Sequence, residues 1–117
     1  MSHFSTLRSK LTDAEILKAS LRDLGMTFRT DSKVRGLCNQ SVPADIVLAL
    51  EGDCDLGWAR SEDGSFAIVA DLWGVAKHHN LEKLMSAINQ KYAINKALTA
   101  VKRPGLQNAN VKLMMQN

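Results

Sequence analysis

Two cysteines, three histidines and a short acidic run are the side chains here that would do chemistry if the fold brought them together. Cys54 stands among Glu51, Asp53 and Asp55. Neighbouring carboxylates disfavour a thiolate, so this spacing argues against a nucleophile. Cys38 has only Arg35 as a basic neighbour in sequence. His78 and His79 are adjacent, and adjacent side chains on a helix point about 100° apart. They therefore cannot share one tetrahedral metal site as histidines four residues apart do. The alternating carboxylates 51, 53 and 55 mimic the start of a calcium loop, but Leu56 stands where such a loop turns on glycine. A polar hairpin tip is the expected role. The seven glycines form neither a Gly-x-Gly-x-x-Gly run nor a Gly-x-x-x-x-Gly-Lys-Ser/Thr run, so the usual phosphate cradle is missing. The expectation is a chain without catalytic residues, metal or cofactor.

The residues suited to binding are of two kinds. Trp58 and Trp73 are two of six aromatic residues, and each adjoins a glycine, in Gly57-Trp58 and Trp73-Gly74. Tryptophan is enriched at binding hot spots, but it also fills cores. Both readings stay open. Asp71, just ahead of Leu72-Trp73, has the chemistry to cap a helix starting there. The second kind is basic: after Ala76 the chain carries seven Lys or Arg against Glu82 alone, net +6, while the first 76 residues carry eight against eleven, net −3. Lys91, Lys96, Lys102 and Arg103 could meet an anionic partner or simply balance the acidic part.

These residues need elements to position them. Thr12-Asp13-Ala14-Glu15 has the form of a capping box. Ala14, Leu17, Leu21 and Leu24 then recur on one helical face, and Gly25 suits a helix end. His3 to Arg8 before this helix and Met26 to Thr30 after it read as strands. Residues 31–43 are polar and without period, so the longest loop is expected there. Strands follow at Ala44 to Leu50, Leu56 to Arg60 and Ser65 to Ala70. Asp63-Gly64 signals a hairpin between the last two, and the unbroken run Ile46 to Leu50 predicts an inner strand covered on both faces. From about Val75 to Arg103 the chain is helical. Its apolar residues form two stripes, Leu81, Leu84, Met85, Ile88 and Tyr92 on one and Ile94, Leu98 and Val101 on another. The jump between them predicts a bend or break around Tyr92 to Asn95. A terminal strand is expected over Asn108 to Met115.

A length of 117 residues, 45% of them hydrophobic, supports one domain over residues 1–117 with its own core. The order of elements predicts an α+β fold, an antiparallel sheet with helices on one face, as a ferredoxin-like variant with an added hairpin. Two cysteines are too few for a disulfide framework, so reduced thiols in a reducing compartment are expected. No window approaches about 18 apolar residues, and no membrane span is expected.

Several words of the chain are distinctive in combination: Met1-Ser2-His3-Phe4-Ser5-Thr6-Leu7, Ala44-Asp45-Ile46-Val47, Asp55-Leu56-Gly57-Trp58, Ala70-Asp71-Leu72-Trp73-Gly74-Val75-Ala76, Ile88-Asn89-Gln90-Lys91-Tyr92-Ala93 and Gly105-Leu106-Gln107-Asn108-Ala109-Asn110-Val111. Together they resemble a hypothetical chloroplast reading-frame family, a domain of unknown function shared by cyanobacteria and algal plastids. The resemblance runs from Met1 to about Met115. It implies a cyanobacterial cytoplasm or plastid stroma and supplies no functional residue. The expected function is a small non-catalytic binding or assembly protein acting through a protein partner. Its rival is a nucleic-acid-binding module using the basic third, where sheet aromatics would stack bases and lysines would meet phosphate.

Overall fold

The computed structural model describes residues 4–101. The expected terminal strand, His3, Lys102 and Arg103 lie outside the described residues. Among the described residues five strands, β1 (Phe4–Arg8), β2 (Phe28–Arg35), β3 (Ser41–Leu48), β4 (Leu56–Arg60) and β5 (Phe66–Asp71), form one sheet in the order β1-β5-β4-β3-β2. Every neighbouring pair is antiparallel. Among the described residues three α-helices, α1 (Ala14–Asp23), α2 (Leu72–Ala76) and α3 (Leu81–Val101), accompany the sheet in an α+β fold. The ferredoxin-like detail does not carry over. Three strands separate β1 from β2, whereas a split β-α-β unit of that plan has one between them.

The main core lies between one sheet face and the helices. Leu17 and Leu21 of α1 and Ile88 and Tyr92 of α3 meet Ile46, Leu48, Leu56, Trp58, Phe66 and Ala70 of the sheet. Asp13, rather than Thr12, caps α1: its Oδ1 accepts from the N–H groups of Glu15 at 2.9 Å and Ile16 at 3.1 Å. Thr12 is held differently, since its backbone N–H and that of Asp13 both donate to Tyr92 Oη.

The break expected near Tyr92 to Asn95 is absent, and α3 runs uninterrupted through 21 residues. What turns with the stripe is the helix's partner. Asn95 Nδ2 donates to Ser20 Oγ at 3.1 Å and Asp23 Oδ2 at 3.0 Å on α1. The second apolar stripe stays partly in water, with Ile94 42% and Leu98 36% exposed. Both stripes lie on one unbroken helix, and only Val101 of the second is buried.

The loop expected over 31–43 is likewise mostly strand. Register runs from Phe28 opposite Leu48 to Arg35 opposite Ser41, and Gly36 N–H donates to Gln40 O at 2.8 Å. Leu37–Asn39 forms the tight turn, with Cys38 and Asn39 both at φ +60°. Two successive left-handed residues suit a two-stranded twist. Asn tolerates this conformation and Cys does so less readily, so Cys38-Asn39 does not read as a turn in the way Asn-Gly or Asp-Gly does.

This hairpin leaves the plane of the sheet. In a flat sheet β2 would lie about 14 Å from β5, three strand spacings away. Instead Leu37 N–H donates to Asp71 Oδ2 at 3.0 Å. The bend is at Asp31, which has φ +47° and falls where the register is interrupted, between Thr30 opposite Ile46 and Ser32 opposite Ala44. Beyond it Val34 and Ala44 turn onto the second sheet face and bury Val47, with Phe4, Val42 and Ala59 around them. Two glycines make the closure possible. A Cβ on Gly57 would collide with Val34 Cγ2, and one on Gly36 would stand 2.6 Å from the Phe4 ring.

Asp55 fastens the curled hairpin. Its carboxylate has no exposed surface and takes Arg35 Nε and Nη2 in a two-pronged pair, each at 2.8 Å. It also accepts the backbone N–H of Arg35 at 3.0 Å and of Leu50 at 3.3 Å. Burial pushes this carboxyl up, but the hydrogen bonds from Arg35 and Leu50 together outweigh it and hold the pKa below the ordinary carboxylate range. A depressed folded value contributes stability that is complete above the unfolded pKa of about 3.9 and is lost as pH falls through the folded value. Urea unfolding from pH 7 downward should therefore show stability falling below about pH 4. Asp55→Asn should cost about 3 kcal/mol at pH 7 and flatten that decline; an unchanged acid limb would place the decline on other carboxylates.

Candidate functional site

At one end of the sheet the β2–β3 turn, the segment before β4 and the β5–α2 junction converge. Asp71, 1% exposed, ties two of them with its two oxygens. Oδ1 caps α2 by accepting Gly74 N–H at 3.1 Å, and Oδ2 holds the hairpin through Leu37 N–H. The expected cap is present and has a second task. The underside of α2 is buried: Val75 enters the main core, and Gly74 lies against Cys54 and Leu37. The α2 backbone continues into a linker whose His79 Nε2 bonds Glu51 O at 3.0 Å, while the His78 ring lies over Gly52. The two imidazoles thus face separate places on one loop. Asn80 then caps α3 by accepting Lys83 N–H.

On the outer side of α2 stands Trp73, 79% exposed. With Leu72, Ala76 and Lys77 it lines an open cleft of about 350 Å³. The other tryptophan is elsewhere. Trp58 is fully buried, cross-strand from Ile46 and Ile68, and its Nε1 has no acceptor among the described residues. Placing Trp58 in a partner site is therefore corrected: it belongs to the core, because β4 is the central strand and its covered face must be filled.

The basic candidates do not gather around Trp73. Lys91 is partly buried and Lys96 exposed on α3, and Lys96 follows Leu81 by fifteen residues, roughly 22 Å along a helix. Both cysteines are free, Cys38 exposed and Cys54 buried. Burial, then the charges of Asp71, Asp53 and Asp55, push the Cys54 thiol pKa up. The acidic neighbours act as the sequence implied, but burial is the larger cause. Among the described residues no three His, Cys, Asp or Glu come together as a metal-ligand set, and no helix is long and apolar enough to cross a membrane.

The family model for a protein of unknown function, DUF1257, matches residues 20–114. The chain belongs to this family. It is 32% identical over 113 residues to an uncharacterized protein, ycf35, of Guillardia theta, spanning 94% of this chain and 86% of the relative. It is 26% identical over 125 residues to the ycf35 protein of Pyropia yezoensis, spanning 99% of this chain and 97% of the relative. These relatives are algal plastid proteins, as the resemblance of the sequence implied. No solved structure matches.

The two tryptophans should separate cleanly in solution. Trp58→Ala should cost about 3–5 kcal/mol in urea unfolding, while Trp73→Ala should change stability by no more than about 0.5 kcal/mol. Trp73 should also account for nearly all acrylamide-accessible fluorescence. A large stability loss in Trp73→Ala would mean that the ring is packed rather than presented.

Proposed function

We propose that this chain is a small non-catalytic binding or assembly protein that works through a protein partner in a cyanobacterial or plastid setting, with Trp73 as its anchor. One observation carries the reading: a large aromatic side chain stands 79% in water on a helix whose own underside is fixed in the core. Exposed tryptophan is a costly choice for a surface and a productive one at an interface, where it supplies area with little entropy to lose.

Support for a non-catalytic role comes from how the reactive groups are used. Asp55 is consumed by Arg35 and two backbone amides, and Asp71 by the α2 cap and the hairpin turn. Cys54 is buried, and burial together with the nearby carboxylates pushes its thiol pKa up, away from a reactive thiolate. Support for protein over nucleic acid comes from the sheet. Base stacking needs exposed aromatics on adjacent strands, and Trp58 and Phe66 both face the helix-covered core.

A photo-crosslinking amino acid placed at Trp73, with Glu62 in the β4–β5 turn as the control position, tests this in a photosynthetic host. The expected result is a discrete, nuclease-resistant protein adduct from position 73 and none from 62. An adduct removed by nuclease would promote the nucleic-acid module, and no adduct specific to 73 would overturn the proposed anchor.

A further inference from the structure

We infer that the Trp73 cleft takes a short acidic segment of its partner, one large apolar side chain lying against Trp73 and a neighbouring carboxylate meeting Lys77. This rests on the proposed binding role and names the chemistry of what binds. The cleft, about 350 Å³, is at the small end of binding pockets. That is room for one side chain and its flanking backbone, not for a docked helix. Its lining is Leu72, Trp73, Ala76 and Lys77, three apolar residues and a single charge, which is positive.

That charge is unspent. The ion pairs among the described residues join Lys18 to Glu15 and Arg29 and Arg35 to Asp55, so Lys77 stands exposed without a carboxylate. Trp73 and Lys77 are four residues apart, one turn along the same surface. An apolar group on the indole and an anion on the ammonium are thus within reach of adjacent residues of one peptide. Desolvating Lys77 beside the indole without a counter-charge would be costly, so the occupant that covers Trp73 must bring an acid. Sequence complementarity of this kind fixes register and excludes basic competitors.

The two other anionic surfaces fit less well. A membrane interface is held by a broad apolar helix face, whereas α2 has five residues and Trp73 as its one large exposed apolar group. Single-stranded nucleic acid is held by successive stacking platforms, and among the described residues Trp73 is the one aromatic side chain that is exposed.

Random heptapeptides displayed on phage, selected against the full chain, test the inference. Recovered peptides are then synthesised and titrated by calorimetry into the wild type, Trp73→Ala and Lys77→Glu, with poly(U) and phosphatidylglycerol vesicles as parallel arms. Both substitutions are at exposed positions, and circular dichroism checks that the variants fold. The expected peptides carry Asp or Glu beside a large apolar residue. They should bind Trp73→Ala at least tenfold more weakly and Lys77→Glu at least threefold more weakly. Peptides that need Trp73 but carry no acidic bias, or are indifferent to Lys77→Glu, would overturn the acidic segment while leaving the anchor intact. Peptides that bind Trp73→Ala unchanged would overturn the anchor as well. Recovery of no peptide, or Trp73-dependent binding to poly(U) or to vesicles instead, would overturn the inference.

Discussion

A carboxylate with no exposed surface has to be neutralised where it stands, and at Asp55 the end of β2 does this. The guanidinium of Arg35 supplies the charge, and the backbone of the same residue both donates to Asp55 and accepts from its N–H at 3.0 Å. Removing Arg35 would leave a buried carboxylate with only the more distant Arg29, at 3.9 Å, so the contact is a constraint before it is a source of stability. Its geometric demand is large. Arg35 can reach Asp55 in this way only because the hairpin bends at Asp31 and curls across the second sheet face. Gly57 and Gly36 are the positions where side chains had to be given up for that closure. The small second core of Val34, Ala44 and Val47 is its consequence.

The curl also determines what happens at the surface. Because the hairpin turn returns to β5, Asp71 can hold it with one oxygen while capping α2 with the other. A helix of five residues has little stability of its own. Here it is anchored by a buried cap, by Val75 in the main core and by Gly74 pressed against Cys54 and Leu37. Trp73 is therefore presented on a fixed mount, which lowers the ordering cost of any contact made through it.

The legible parts of the fold were those written in local chemistry. The periodic face of α1, its end at Gly25, the Asp63-Gly64 hairpin, the doubly covered β3 and the Asp71 cap all follow from residues close in sequence. The parts that misled depended on distant partners. Residues 31–43 look like loop because the polar side chains of β2 lie on an edge strand and because Cys38-Asn39 makes a left-handed turn without glycine. Thr12 looks like a cap until Tyr92 takes its backbone, and α3 looks broken until α1 accepts Asn95. Of the binding candidates, the tryptophan pair was recognisable by composition but not separable. Only the sheet order, with β4 at the centre, assigns Trp58 to the core and leaves Trp73 outside.

The presentation of Trp73 turns on one buried carboxylate, Asp71, coupling the hairpin turn to the helix that carries the tryptophan. Native-state hydrogen exchange of the Leu37 and Gly74 amides, its two donors, measures that coupling directly. Both amides should be protected, should open with the same free energy, and should lose protection together in Asp71→Ala. A Leu37 amide that exchanges as fast as an unstructured one while Gly74 stays protected would show that the hairpin is not held down, and the account would fail.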